Sequence, residues 1–128
     1  MGLLFLQLLN YTDKLYTDKN SFEQDLMIQI LSYIEENYRN ATLTEISNYL
    51  NYDIFYISRV IKKQTNETFK KILKRKKMDK ANYLLLNTDL SISNIIRIIG
   101  YDNTSYFYRT FKEYFGLSPK EYRYMHCK

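Results

Sequence analysis

The amino-acid sequence predicts an all-α protein: a seven-helix domain with two helix-turn-helix subdomains joined by a long linker helix, plus a helical extension at the N-terminal end. Three observations carry this expectation. The chain of 128 residues holds one proline and three glycines, so little interrupts it. Apolar residues recur at spacings of three and four nearly throughout, with no convincing strand alternation. One pattern of two helices about a tight turn is written twice, about fifty positions apart, in LTEISNYLNYDIFYISRVIKKQTNETFKKIL (43–73) and LSISNIIRIIGYDNTSYFYRTFKEYFGLSPKEYR (90–123). At 45% hydrophobic the chain amounts to one domain and can bury a core.

The elements follow in order. Residues 3–9 form an apolar patch that predicts a short helix, and YTDKLYTDKNS predicts a linker ending at turn-like Asn20 and Ser21. The domain proper is expected over 22–124. From Phe22 to Tyr38, Leu26, Ile30, Tyr33, Ile34 and Tyr38 recur at helical spacing, and Asn40 stops that helix. The first helix-turn-helix is expected over 44–65, with Thr44 capping a helix to Leu50 and Asp53 capping another from Ile54 to about Thr65. A long linker helix, 69–87, carries Phe69, Ile72, Leu73, Met78, Ala81, Leu84 and Leu85 on its apolar face and spans about 28 Å. The second helix-turn-helix is expected over 91–115, with Ser91 or Ser93 capping one helix and Asp102 or Asn103 the next. Pro119 suits the first position of a last helix through Tyr122.

Sliding the copies by 49 pairs Leu43 with Ile92, Ile46 with Ile95, Asn51 with Gly100 and Tyr52 with Tyr101. One extra residue in the second turn makes the offset 50, pairing Ile57 with Phe107, Arg59 with Arg109, Lys62 with Lys112 and Asn66 with Gly116. Asn51, Gly100, Asn66 and Gly116 fall where a helix end needs positive φ, which Asn and Gly adopt most cheaply.

Charge divides the chain. Residues 1–41 carry net −3 and residues 42–128 net +8. Within 62–80 nine basic residues stand against Glu67 and Asp79. A basic run alone is often only a solvated face, but this one joins two copies of a nucleic-acid motif, and that context points to phosphate contact.

In a helix-turn-helix the second helix enters the major groove and its first half meets base edges. Periodicity turns Ile57, Val60, Ile61 and Gln64 inward in the first copy and Phe107, Thr110, Phe111 and Tyr114 in the second. The base-reading candidates left outside are Phe55, Ser58 and Arg59, then Thr104, Ser105, Tyr108 and Arg109. A guanidinium can bond guanine O6 and N7 together, which makes Arg59 and Arg109 the sharpest candidates. Phe55 can pack on a thymine methyl, or serve as core. The phosphate candidates are Thr44, Lys62, Lys63, Arg75, Lys76, Lys77 and Lys112; six neutralised phosphates would give a log–log salt slope of roughly −5.

Thr44 to Arg123 resembles the DNA-binding domain of the AraC/XylS family of bacterial transcription regulators. The stretches that carry the resemblance are Leu85-Leu-Asn-Thr-Asp-Leu-Ser-Ile, Gly100-Tyr-Asp-Asn-Thr-Ser-Tyr-Phe and Phe111-Lys-Glu-Tyr-Phe-Gly-Leu-Ser-Pro-Lys-Glu-Tyr-Arg. The resemblance implies two recognition helices in adjacent major grooves of double-stranded DNA, activation rather than repression, and contact with RNA polymerase. Ile96 stands where the family usually keeps a small residue, which predicts shifted packing, and Asn66 replaces a common Gly. Many family members place a ligand-binding, dimerising domain ahead of this one. MGLLFLQLLNYTDKLY looks like the end of such a domain, through which a homodimer would form; the alternative is a small member whose first helix packs on its own domain.

Other classes find little support. The single His126 and Cys127 sit at the C-terminal end and read as a frayed tail rather than a ligand set, so no disulfide, metal site or cofactor is expected and a reducing cytoplasm is the expected compartment. The first residues lack a basic n-region, a cleavage site and, at Leu6, the Ser or Thr of a myristoylation signal; no run reaches a membrane span. No convergent acid, base and nucleophile suggest an enzyme. A basic helix binding anionic membrane, or a module binding a protein partner, is the alternative for 69–87, and it leaves the duplicated turns unexplained.

Overall fold

A computed structural model describes the backbone of residues 2–126 and the side chains of residues 19–126. Seven helices follow in order: α1 (Gly2–Asn37), α2 (Leu43–Leu50), α3 (Ile54–Thr65), α4 (Phe69–Asn87), α5 (Ile92–Ile98), α6 (Thr104–Phe115) and α7 (Pro119–His126). The short helix and linker expected before Phe22 are instead part of α1, one helix of 36 residues. The physical reason is local. The Asp, Asn, Ser and Thr of the polar run each cost only about half a kcal/mol in a helix interior. Once helix exists on both sides, propagation through such residues is easier than nucleating a new start. The expected apolar patch at 3–9 and the tail residue Cys127 lie outside the described side chains.

Each later helix is bounded by its own chemistry. Thr42, rather than the expected Thr44, caps α2: its backbone is extended and its Oγ1 accepts from the Glu45 N–H at 3.1 Å, whereas Thr44 is already inside the helix. Asp53 accepts from the N–H groups of Phe55 and Tyr56 at 2.8 and 3.3 Å. Thr68 caps α4 and Ser91 caps α5 in the same way. Asn103, not Asp102, caps α6, because the extra residue in the second turn moves the cap one place along. Asn51 and Asn66 hold φ of 64° and 61°, and Gly100 and Gly116 hold 88° and 82°, at the four places where left-handed backbone was expected. Ser118 and Glu121 form a reciprocal capping box at the start of α7, which runs beyond Tyr122 to His126.

Two cores result. The first gathers Leu26, Met27, Ile30 and Ile34 of α1 with Ile46, Ile57, Val60, Ile61 and the first half of α4. The second gathers Met78, Ala81 and Leu85 from the second half of α4 with Ile95, Ile99, Phe107 and Phe111. Where the first core has Ile57 and Ile61, the second has an aromatic ladder, Phe107–Phe111–Phe115, with Tyr122 of α7 standing 5.5 Å from Phe111. Ile96 lies buried in that core.

Helix α4 is thus shared, its apolar residues divided between two cores that face different directions around its axis. The halves are also tied directly. Tyr38 packs against both cores. Glu35 of α1 forms an ion pair with Lys76 of α4, and Lys80 stands 5.8 Å over the Tyr38 ring. The Arg123 guanidinium donates to the carbonyls of Leu85 and Thr88 at 3.0 and 3.2 Å, satisfying the open C-terminal end of α4 and fixing α7 against it.

Candidate nucleic-acid interface

The first candidate face is built on α3. Asp53 holds the first turn, and Ile57, Val60 and Ile61 anchor one side in the core. Phe55, Ser58, Arg59 and Lys62 are exposed on the other. Phe55 is 74% exposed, so it is not a core residue. Gln64, expected inward, is half-buried, and its amide donates to Asn20 of α1 at 3.1 Å. The second face is built the same way on α6. Phe107, Thr110 and Phe111 are buried, while Thr104, Ser105, Tyr108, Arg109 and Lys112 are exposed. Tyr114, also expected inward, is 43% exposed. It sits near the helix end, where the neighbouring Phe115 packs on the core, and borders a groove along α4.

Arg59 and Arg109 each lie against a tyrosine three residues earlier. The Arg59 guanidinium is 5.7 Å from the Tyr56 ring centre and that of Arg109 is 5.6 Å from the Tyr106 ring centre. The rings beneath the two arginines are absent from the sequence-based candidates, although Tyr-x-x-Arg occurs in both copies.

Behind α3 is a small polar network. The Lys63 ammonium donates to the Glu23 carboxylate at 2.8 Å and the Tyr56 hydroxyl donates to its other oxygen at 3.0 Å. Glu23 is only 3% exposed. The Lys63 hydrogen bond holds its carboxyl below the ordinary carboxylate range, opposing burial, and Tyr56 adds to the effect. Burial pushes the Tyr56 phenol up, and its bond to Glu23 pushes it further.

The phosphate candidates separate into two groups. Thr44, Lys62 and Lys112 are exposed, with Lys62 also bonding the Asn66 carbonyl at 3.2 Å. The others are engaged within the protein. Lys63 is held by Glu23. Arg75 pairs with Glu67 at 2.8 Å, a bond that raises its pKa. Lys76 pairs with Glu35. Lys77 stands 5.0 Å over the Tyr101 ring, and burial lowers its pKa. Burial also pushes the Tyr101 phenol up to about 12. Meanwhile Lys70 and Lys74, which sequence reasoning counted but did not select, line an open groove of about 410 Å³ with Thr68, Lys71, Arg75 and Tyr114.

Two capped, core-anchored helices, each presenting polar and cationic side chains outward from its first half, define a double helix-turn-helix domain of the DNA-binding class. A family model described as Helix-turn-helix domain matches residues 46–125. The Xylose operon regulatory protein of Haemophilus influenzae is 32% identical over 108 residues, 84% of this chain and 28% of that protein. The Virulence regulon transcriptional activator VirF of Shigella flexneri is 33% identical over 118 residues, 92% of this chain and 44% of that protein. The C-terminal domain of AraT, a response regulator from Geobacillus stearothermophilus, superposes with a TM-score of 0.71 at 35% identity, covering 76% of this chain and 82% of that one. The chain belongs to the AraC-type helix-turn-helix family, and it spans less than half the length of the two regulatory relatives.

Proposed function

We propose that this chain is the sequence-specific, double-stranded DNA-binding part of a bacterial transcription regulator, with α3 and α6 inserted into adjacent major grooves. The observation that carries the reading is that exposed residues occupy matching positions on the two helices, Phe55, Ser58 and Arg59 on α3 against Ser105, Tyr108 and Arg109 on α6, with Thr104 preceding. Helix α4, about 28 Å long, is suited to hold two heads roughly one turn of DNA apart. Scaffold residues repeat between the heads while reading residues differ, so a single chain prefers an asymmetric site.

Phosphate contact is assigned first to Thr44, Lys62 and Lys112, the exposed candidates, and then to Lys70 and Lys74 along the groove. Lys63, Arg75, Lys76 and Lys77 brace the helices that carry the heads. Activation is favoured by the name of VirF. RNA polymerase as a partner, a homodimer formed through a preceding domain, and a cytoplasmic location belong to the same proposal. Catalysis has no part in it. Among the described residues no helix is long and apolar enough to cross a membrane.

Selection of bound duplexes from a random library, with Arg59→Ala and Arg109→Ala beside the wild type, tests the reading. Each variant is expected to lose preference at a different block of bases, the blocks lying roughly 10 bp apart. Unchanged motifs in both variants would reject the arginines as readers.

A further inference from the structure

The two reading helices share little on their exposed sides. Phe55 is replaced by Ser105 and Ser58 by Tyr108. What repeats is Tyr-x-x-Arg-x-x-Lys: Tyr56, Arg59 and Lys62 in α3, and Tyr106, Arg109 and Lys112 in α6. The repeat extends below the helix surface. Tyr52, in the first turn, stands 5.8 Å from Tyr56, and Tyr101, in the second turn, stands 5.8 Å from Tyr106. Each copy therefore holds a file of ring, ring and guanidinium, with the last step 5.7 Å in one and 5.6 Å in the other.

The two files are anchored by different chemistry. In the first, the Tyr56 hydroxyl is fixed by Glu23 of α1 at 3.0 Å. In the second, Lys77 of α4 stands 5.0 Å over Tyr101. Two unlike anchors ending in one arrangement indicate that the arrangement is the common requirement. Tyr106 is 38% exposed, so it is not present simply to fill the core.

A reason for such a shelf follows from the cost of reading with arginine. The side chain carries about 2 kcal/mol of rotamer entropy, part of which is lost when its fork is aligned on a base. A ring face within about 6 Å attracts the guanidinium and, at i,i+3 spacing on a helix, restricts it before DNA arrives. We propose that Tyr56 and Tyr106 are positioning residues that hold Arg59 and Arg109 ready for base contact, acting through the ring face rather than the hydroxyl. This rests on the assignment of the two arginines as base readers.

The second head offers the cleaner test, because Tyr56 also serves Glu23. In the DNA-free chain, the δ-methylene protons of Arg109 are expected upfield of their random-coil positions by NMR, to stay there in Tyr106→Phe, and to return in Tyr106→Leu. Random-coil shifts for Arg109 in the wild type would overturn the shelf whether or not any variant folds. In random-library selection, Tyr106→Leu is expected to lose roughly two- to fivefold of the base discrimination that Arg109→Ala abolishes, with Tyr106→Phe matching the wild type. Full discrimination in Tyr106→Leu, with loss in Arg109→Ala, would overturn the shelf and leave the base reading standing. Full discrimination in Arg109→Ala would overturn both.

Discussion

Gly100 lies against the main chain of Arg39: a Cβ built on Gly100 would stand 2.5 Å from the Arg39 carbonyl oxygen. Gly100 belongs to the turn of the second head and Arg39 to the loop after α1, so here main chain of the two halves comes close. Gly100 also holds φ of +88°. Gly100→Ala is therefore expected to combine left-handed strain with a clash against an atom that cannot rotate away, costing about 2 to 3 kcal/mol. Gly116 shares the positive φ but has nothing within 4 Å of a built Cβ. Gly116→Ala should cost about 1 kcal/mol and Gly116→Asn less, since Asn66 holds the equivalent place. Urea denaturation of the variants measures both; equal losses for the two alanines would show that the Arg39 contact does not matter.

Glu23 connects acid sensitivity to α3, through Tyr56 and Lys63. Its folded-state pKa lies below the ordinary carboxylate range. The stabilisation it brings is therefore complete above that range and is lost as pH falls through the lowered value. Glu23→Gln should flatten this part of the acid limb in a pH series of melting temperatures. At neutral pH the variant should lose about 1 to 2 kcal/mol, limited because the Lys63 side chain is 55% exposed and can rehydrate. An acid limb identical to wild type would exclude Glu23 as its source.

Phe55 separates folding from binding. With 74% of its surface in solvent, Phe55→Ala should change unfolding free energy by less than about 0.5 kcal/mol. The same variant should weaken binding to the selected duplex. A large loss of stability with unaltered affinity would return Phe55 to a structural role.

The lysines divide by salt dependence. Lys112→Ala is expected to make the slope of log affinity against log salt shallower by about 0.9 while leaving stability unchanged. Lys77→Ala should instead leave the slope as it is and cost about 0.5 to 1 kcal/mol of stability, through loss of its contact with Tyr101. Titration of one duplex over a range of salt, beside denaturation curves, decides between them; the reverse pattern would exchange their roles.

Much of this protein was legible in the chain itself. The helix stops at Asn51, Asn66, Gly100 and Gly116, the caps at Asp53 and Ser91, the extent of α4 and the outward placement of Arg59 and Arg109 all follow from signals contained within a few residues. A cap, a positive φ and a helical period are local properties, so local sequence determines them. The continuity of α1 is the exception: the polar run resembles a linker, but such residues only weaken a helix that has formed on both sides of them.

Tertiary structure alone decided which cations are free. Lys63 meets Glu23 across 40 positions of chain, Lys76 meets Glu35 from another helix, and Lys77 finds the Tyr101 ring; no periodicity carries such pairings. In the last turn of α6 it is Phe115 that packs on the second core, while Tyr114 stays exposed beside the groove along α4. The sequence determined that there are two heads and where each begins, since those features are built from neighbours. The fold decided which side chains support a head and which remain free for a ligand, since that depends on charges and rings brought together from distant parts of the chain.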